Sequence, residues 1–197
     1  MKNVFGACFL VMMPALIAGC ASTAPEVTRS NSHVQMPHYS FVVPPDHGWH
    51  VQRFDSTDES AIITQRIGPF HFEMKIMRNL VADDALRQAT AKAVADDFRQ
   101  LEQRIMIEQG VNRGLYRLEN VSLGEETIAG LTFYTMDYVV AGDSSTQRAA
   151  LYLWFPKPER NESFIVALYS ETIPPDSVLL KSYLPDFKST LQTLTLR

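Results

Sequence analysis

The stretch "RAALYLWFP" (148–156) decides the fold. Leu151, Leu153 and Phe155 alternate with Tyr152 and Trp154. Successive side chains of a strand point to opposite faces, so this strand is apolar on both. "SFIVALYSE" (163–171) has the same character over 164–169. Strands of that kind lie inside a sheet, covered on both sides. The chain must therefore supply two covers.

Working outward, the neighbouring segments read as strands with one polar face. In "FHFEMKIMR" (70–78), Phe70, Phe72, Met74 and Ile76 fall on one side, and His71, Glu73 and Lys75 on the other. That period of two marks a half-buried strand. "YSFVV" (39–43), "WHVQRF" (49–54), "SAIITQRI" (60–67), "LYRLENVSLG" (115–124) and "LTFYTMDYVVA" (131–141) complete the set. Gly68 with Pro69, Gly130 and "GDSS" (142–145) supply the turns between them.

Between positions 84 and 108 the period changes. Leu86, Ala89, Ala93, Val94, Phe98, Leu101 and Ile105 recur at steps of three and four, the stripe of an amphipathic helix. Asp83 is the expected N-cap, Asp84 suits the positive end of the dipole and Gly110 the stop. One helix of about 25 residues, roughly 37 Å long, is the expectation. It is the first cover. The second is a C-terminal helix capped by Asp176 or Ser177, with Leu180, Leu184, Phe187, Leu191 and Leu194 as its stripe. Pro185 inside that run kinks the helix or opens a new turn after a short first piece. The fold class is thus α+β: a mainly antiparallel sheet of about seven to eight strands, covered by a long middle helix and a C-terminal helix.

The order of strands, long helix, strands and final helix resembles the PsbP-like α/β/α sandwich, and "YSFVVPPDHGWHV" (39–51) resembles the opening strand, proline turn and Trp of those domains. The resemblance implies a fold and a functionally diverse, mostly non-enzymatic family whose members bind or stabilise other proteins. It carries over no catalytic residue.

The N-terminus has a different chemistry. Lys2 precedes an apolar run from Val4 to Ala18, too short for a spanning helix of roughly 20 residues. A charged start, a short apolar core and small residues before a cut describe a secretory signal. "LIAGC" (16–20) resembles a bacterial lipobox. The resemblance implies a signal peptide over 1–19, cleaved before Cys20 after its thiol has taken a diacylglyceryl group. A nucleophilic thiol suits that alkylation, and each buried methylene contributes about 0.8 kcal/mol to membrane binding. Ala21, where inner-membrane lipoproteins carry Asp, implies the outer membrane facing the periplasm. Of the two cysteines, Cys8 leaves with the signal and Cys20 carries lipid, so the mature domain has neither thiol nor disulfide. Positions 20–37 are expected as the lipidated Cys20 and a flexible spacer rich in Ser, Thr, Ala and Pro; a single globular domain occupies 38–197.

Composition narrows the function. The formal charge is −4, and −5 once Lys2 is removed, which lacks the broad basic footprint of a nucleic-acid binder. All five histidines lie between 33 and 71. His47, His50 and His71 are the candidate metal ligands, since imidazole suits zinc or copper; the alternative is a set of surface histidines near a turn. Asp137, in a strand expected to be central, is the candidate buried carboxylate, needing a partner such as Arg117 or Arg148 or a shifted pKa. Glu171, near a strand end, has the same status. Trp49 is either a partner contact or core. No Gly-x-Ser-x-Gly elbow, P-loop or Rossmann glycine pattern is present, and no cofactor is expected.

The leading expectation is therefore a non-enzymatic envelope domain, held to the membrane through Cys20 and binding another envelope protein or component. The rivals are a metal or small-molecule carrier using the histidines, and an enzyme with a site built around Asp137.

Overall fold

The computed structural model describes residues 24–54, 59–108, 114–174, 177–178 and 181–197. The signal, Cys20, Gly110, Asp176 and Leu180 lie outside the described residues.

Seven strands form the main sheet: β3 (His50–Phe54), β4 (Ser60–Ile67), β5 (Phe70–Leu80), β6 (Tyr116–Ile128), β7 (Leu131–Gly142), β8 (Thr146–Trp154) and β9 (Ser163–Ile173). Their order is β3-β4-β5-β9-β8-β7-β6, and every pairing is antiparallel. Two meanders, β3 to β5 and β6 to β9, meet along the β5–β9 seam, where Met74 lies opposite Tyr169 and Ile76 opposite Ala167. β8 and β9 are internal, as their two apolar faces require.

Both faces are buried, by different means. Leu151, Leu153, Phe155, Phe164, Val166 and Leu168 join one core with Val94, Ala95 and Phe98. Those last three belong to α2 (Ala91–Met106), which follows the short α1 (Asp84–Arg87). Rings lock this layer: Phe98 meets Phe164 edge-on at 5.5 Å, and Phe155 stacks on Phe164 at 4.8 Å. Helix α2 is also pinned by Arg99, which is only 4% exposed. Its guanidinium donates to the carbonyl oxygens of Thr135 (3.0 Å) and Gly124 (3.3 Å) and to the Asp96 carboxylate.

The expected single helix over 84–108 is thus two. Asp83 caps α1, accepting from the amides of Ala85 and Leu86. Thr90 then begins again as a cap, its hydroxyl accepting from the Ala93 amide. A cap residue holds extended dihedrals, and Thr90 does (φ −71°, ψ 154°), so the helix cannot run through it.

The opposite face is covered by α3 (Leu184–Gln192) and a small second sheet. Phe187 of α3 is fully buried, stacked against Tyr169 at 5.5 Å and edge-on to Tyr152 at 5.4 Å. Pro185 sits in the first turn, where its missing N–H costs nothing. Of its two expected effects, it opens the helix. The second sheet has β2 (Tyr39–Val42) between β1 (His33–Gln35) and β10 (Thr195–Leu196).

That second sheet corrects the expected spacer. Residues 24–37 are part of the domain. Glu26 bridges to His50, and the Val27 amide donates to the Trp49 carbonyl at 2.6 Å. Val27, Val34 and Met36 are at most 3% exposed. Three apolar side chains among many polar ones hold the segment down: they join the α3-side core, Val34 lies opposite Phe41 of β2, and the Met36 amide donates to the Tyr39 carbonyl at 2.9 Å.

Burying Val27, Val34 and Met36 contributes roughly 4–9 kcal/mol in all, at about 1.5–3 kcal/mol each, comparable with the whole stability of a domain. A chain starting at residue 24 is expected to melt cooperatively by circular dichroism. One starting at residue 38 is expected to lose its cooperative transition; an unchanged melt for the shorter chain would contradict the packing.

Candidate functional site

The α3 face of the sheet is only partly covered. Beyond the start of α3 a cleft of about 360 Å³ opens over β7, β8 and β9. Its charged and polar walls are Asp137, Arg148, Glu171, Ser182 and Asn120, and its apolar floor includes Val139, Ala150 and Leu184. Strand register explains the grouping. Asp137 pairs with Ala150, which pairs with Tyr169; Val139 pairs with Arg148, which pairs with Glu171. These are two adjacent rows on one face, so three charges from three strands converge. Asn120 enters from a bulge in β6 between Glu119 and Ser122, at φ 53°, a left-handed conformation that Asn tolerates well.

Glu171 is the most constrained of these groups. It is 4% exposed. Its Oε1 accepts from Tyr169 Oη at 2.5 Å and from the Ser182 hydroxyl. Tyr169 Oη in turn accepts from the Tyr183 amide at 3.0 Å, and Ser182 Oγ from the Leu184 amide at 3.3 Å. The carboxylate therefore fixes the point where α3 begins. Burial first, and then the hydrogen bond to Glu171, raise the Tyr169 phenol far above its usual range; it stays protonated and stays a donor. Among the described residues, no cation lies within ion-pair distance of Glu171 and its Oε2 has no hydrogen-bond partner.

Asp137 does not match its expected burial. It is exposed, and neither Arg117 nor Arg148 pairs with it: Arg117 bonds Glu119 at 3.3 Å, and Arg148 is exposed. The strand is internal, but α3 covers this row at Tyr169, through Phe187, and leaves its Asp137 end exposed. Partial burial still raises the Asp137 carboxyl; Lys188 opposes the shift and Glu126 adds to it. Next to it Glu126 accepts from Lys188 Nζ (2.7 Å) and Tyr152 Oη (2.6 Å), tying α3 to β6. Burial pushes the Glu126 carboxyl up, but those two hydrogen bonds outweigh it and hold it below its ordinary value.

The structure does not bring the three candidate metal ligands together. His47 Nδ1 lies 2.7 Å from Asp186 of α3, His50 Nδ1 lies 3.0 Å from the Ala24 carbonyl, and His71 faces Glu73 at 3.6 Å. β4 separates His50 from His71, whose opposite residues in it are Thr64 and Arg66. Among the described residues no group of three His, Cys, Asp or Glu side chains could hold a metal ion. Trp49 is core, not a partner contact: it is fully buried, edge-on to Tyr183 at 5.2 Å, and its indole N–H donates to Asp186 at 2.9 Å.

Sequence reading reached Asp137, Arg148 and Glu171 one by one but not their convergence. Ser182, Asn120 and the Tyr169 hydroxyl were missed. The available signal was the spacing across the β8–β9 hairpin, which puts Arg148 opposite Glu171.

No protein-family model matches the chain, and no curated protein does. Some solved structures are similar. One is a protein from Bacteroides thetaiotaomicron VPI-5482, 12% identical over 81% of this chain, with a TM-score of 0.41; this chain spans only 45% of it. A second is cyanobacterial PsbP (CyanoP) from Synechocystis sp. PCC 6803, 11% identical over 92% of this chain and 99% of that one, TM-score 0.49. A third is LpqN, involved in cell envelope biogenesis of Mycobacterium tuberculosis, 11% identical over 87% of this chain and 98% of that one, TM-score 0.45. At these identities and scores the likeness assigns neither family nor function.

The raised Asp137 carboxyl gives a signed prediction. A carboxyl whose folded pKa lies above its unfolded value costs stability once ionised: the contribution is present below the unfolded pKa and lost as pH rises through the folded one. Asp137→Asn is expected to raise Tm at pH 7 and to lose that advantage below the carboxylate range. Melts across pH check it; a lower Tm at pH 7 would mean that attraction to Lys188 outweighs burial.

Proposed function

We propose that this chain is a lipid-anchored cell-envelope lipoprotein, held in the outer membrane through Cys20, whose domain faces the periplasm and binds another envelope protein or component without catalysing a reaction on it. The cleft over β7–β9 is the binding surface. The observation that carries the binding reading is the cleft itself. Its charged walls come from three strands, while among the described residues its lining holds no His, Cys or Lys, and Ser182 is committed to Glu171. Covalent catalysis needs a nucleophile with an adjacent base; the one such pair among the described lining residues, Ser182 and Glu171, is engaged in fixing the start of α3, where Ser182 Oγ accepts from the Leu184 amide.

The anchor reading is supported by "LIAGC" (16–20) and by the absence of Asp at position 21. Among the described residues no helix is long and apolar enough to cross a membrane; on this reading lipid at Cys20 is the means of attachment. Two or more acyl chains give stable binding where one is marginal.

Radioactive palmitate is expected to label the native protein and not Cys20→Ser, which should also move to the soluble fraction. Equal labelling of both, or of neither, contradicts the anchor. For the binding surface, a photoreactive residue at Val139 in the cleft is expected to give a discrete adduct in intact cells. One at Thr132, which points to the other side of β7, should not. Adducts at Thr132 alone would place binding elsewhere.

A further inference from the structure

Glu171 is an acid buried without a counter-cation among the described residues. Taking a carboxylate out of water is costly unless it is paired or fully hydrogen-bonded. Its Oε1 has two donors, from Tyr169 and Ser182. Its Oε2 has none among the described residues, yet it is not among the sealed polar atoms that lack a partner, so it keeps access to solvent, and Glu171 lines the cleft. The arrangement is one ammonium short of complete. Asp137, one row along on the same face, adds a second negative charge.

Arg148 supplies the opposite demand. It lies directly across from Glu171 in the β8–β9 ladder, yet no ion pair within 4.0 Å joins them, and its side chain is exposed at the cleft. A guanidinium presents planar paired donors that match a carboxylate. The cleft thus offers a buried acid for a cation, a guanidinium with no ion-pair partner among the described residues for an anion, and an apolar floor of Val139, Ala150 and Leu184. Its volume of about 360 Å³ falls at the small end of the range for ligand pockets.

Taking the cleft as the binding surface proposed above, we propose that it recognises a small α-amino-acid zwitterion with an apolar side chain. The ammonium donates to Glu171 Oε2, the carboxylate accepts from Arg148, and the side chain lies on Val139, Ala150 and Leu184. The hydroxyls of Tyr169 and Ser182 hold Glu171 in place; they are positioning residues.

Calorimetry on the full-length protein in detergent tests this with three probes sharing one alkyl chain: norleucine, pentylamine and hexanoate. Norleucine is expected to bind at least about tenfold tighter than either single-charge analogue. Arg148→Met, at an exposed position and with its fold checked by circular dichroism, should weaken norleucine about tenfold while leaving pentylamine unchanged. Glu171→Gln should weaken both, with circular dichroism confirming the fold. No heat with norleucine, equal binding of pentylamine, or indifference to Arg148→Met would overturn the proposal. A discrete cellular adduct at Val139 alongside any of those results would show that the cleft binds something else, so failure of the ligand class is distinct from failure of the surface.

Discussion

Two adjacent strands with apolar side chains on both faces impose a requirement on everything else in this chain. β8 and β9 cannot be stable until each face is roofed. On one face α2 suffices, with Phe98 set against Phe164 and Arg99 clamped to the carbonyls of β6 and β7. On the other, α3 has nine residues and spans about 14 Å. β9 has eleven and spans about 37 Å. A helix that short cannot cover strands that long. The second sheet and Trp49 extend the roof toward β3 and β4. Toward Thr146 and Ile173 nothing described extends it, and the cleft is what is left uncovered.

The N-terminal segment completes that roof and would also set where the proposed anchor attaches. Four peptide spacings separate Cys20 from Ala24, at most about 14 Å. Ala24 is already bonded to His50 of β3, the edge strand of the main sheet. On the proposed anchoring the domain is held close to the lipid, by its β3 edge. β8 lies four strands away from that edge, roughly 19 Å. The cleft is therefore on the part of the sheet remote from the attachment point.

Much of the architecture was legible because the deciding information was local. Alternation along 148–156 announces a two-faced strand, and the shift to steps of three and four after Asp84 announces the helical cover. The break at Thr90 was hidden because Leu86, Ala89 and Ala93 keep one stripe running across it; the cap works through a hydroxyl that periodicity cannot see. Val27, Val34 and Met36 were hidden because single apolar residues set among Ser, Thr, Asn and Pro show no period of two or of three and four. The site was legible only in pieces. Arg148 and Glu171 are 23 positions apart and meet through a register fixed by the β8–β9 pairing. The exposure of Asp137 follows from how far α3 reaches, a length set by Pro185 at one end and Thr193 at the other.

Neither cysteine of the chain falls within residues 24–197, which allows a direct test of the incomplete roof. Ala150 is 4% exposed and Ala167 is fully buried, and both belong to the α3-side core, but only Ala150 lines the cleft. In a Cys8→Ser, Cys20→Ser background, Ala150→Cys should react with a small thiol reagent on the order of 100-fold faster than Ala167→Cys, whose labelling waits on unfolding. Equal protection of the two thiols would mean that the face is fully covered in solution and that no cleft exists there to bind anything.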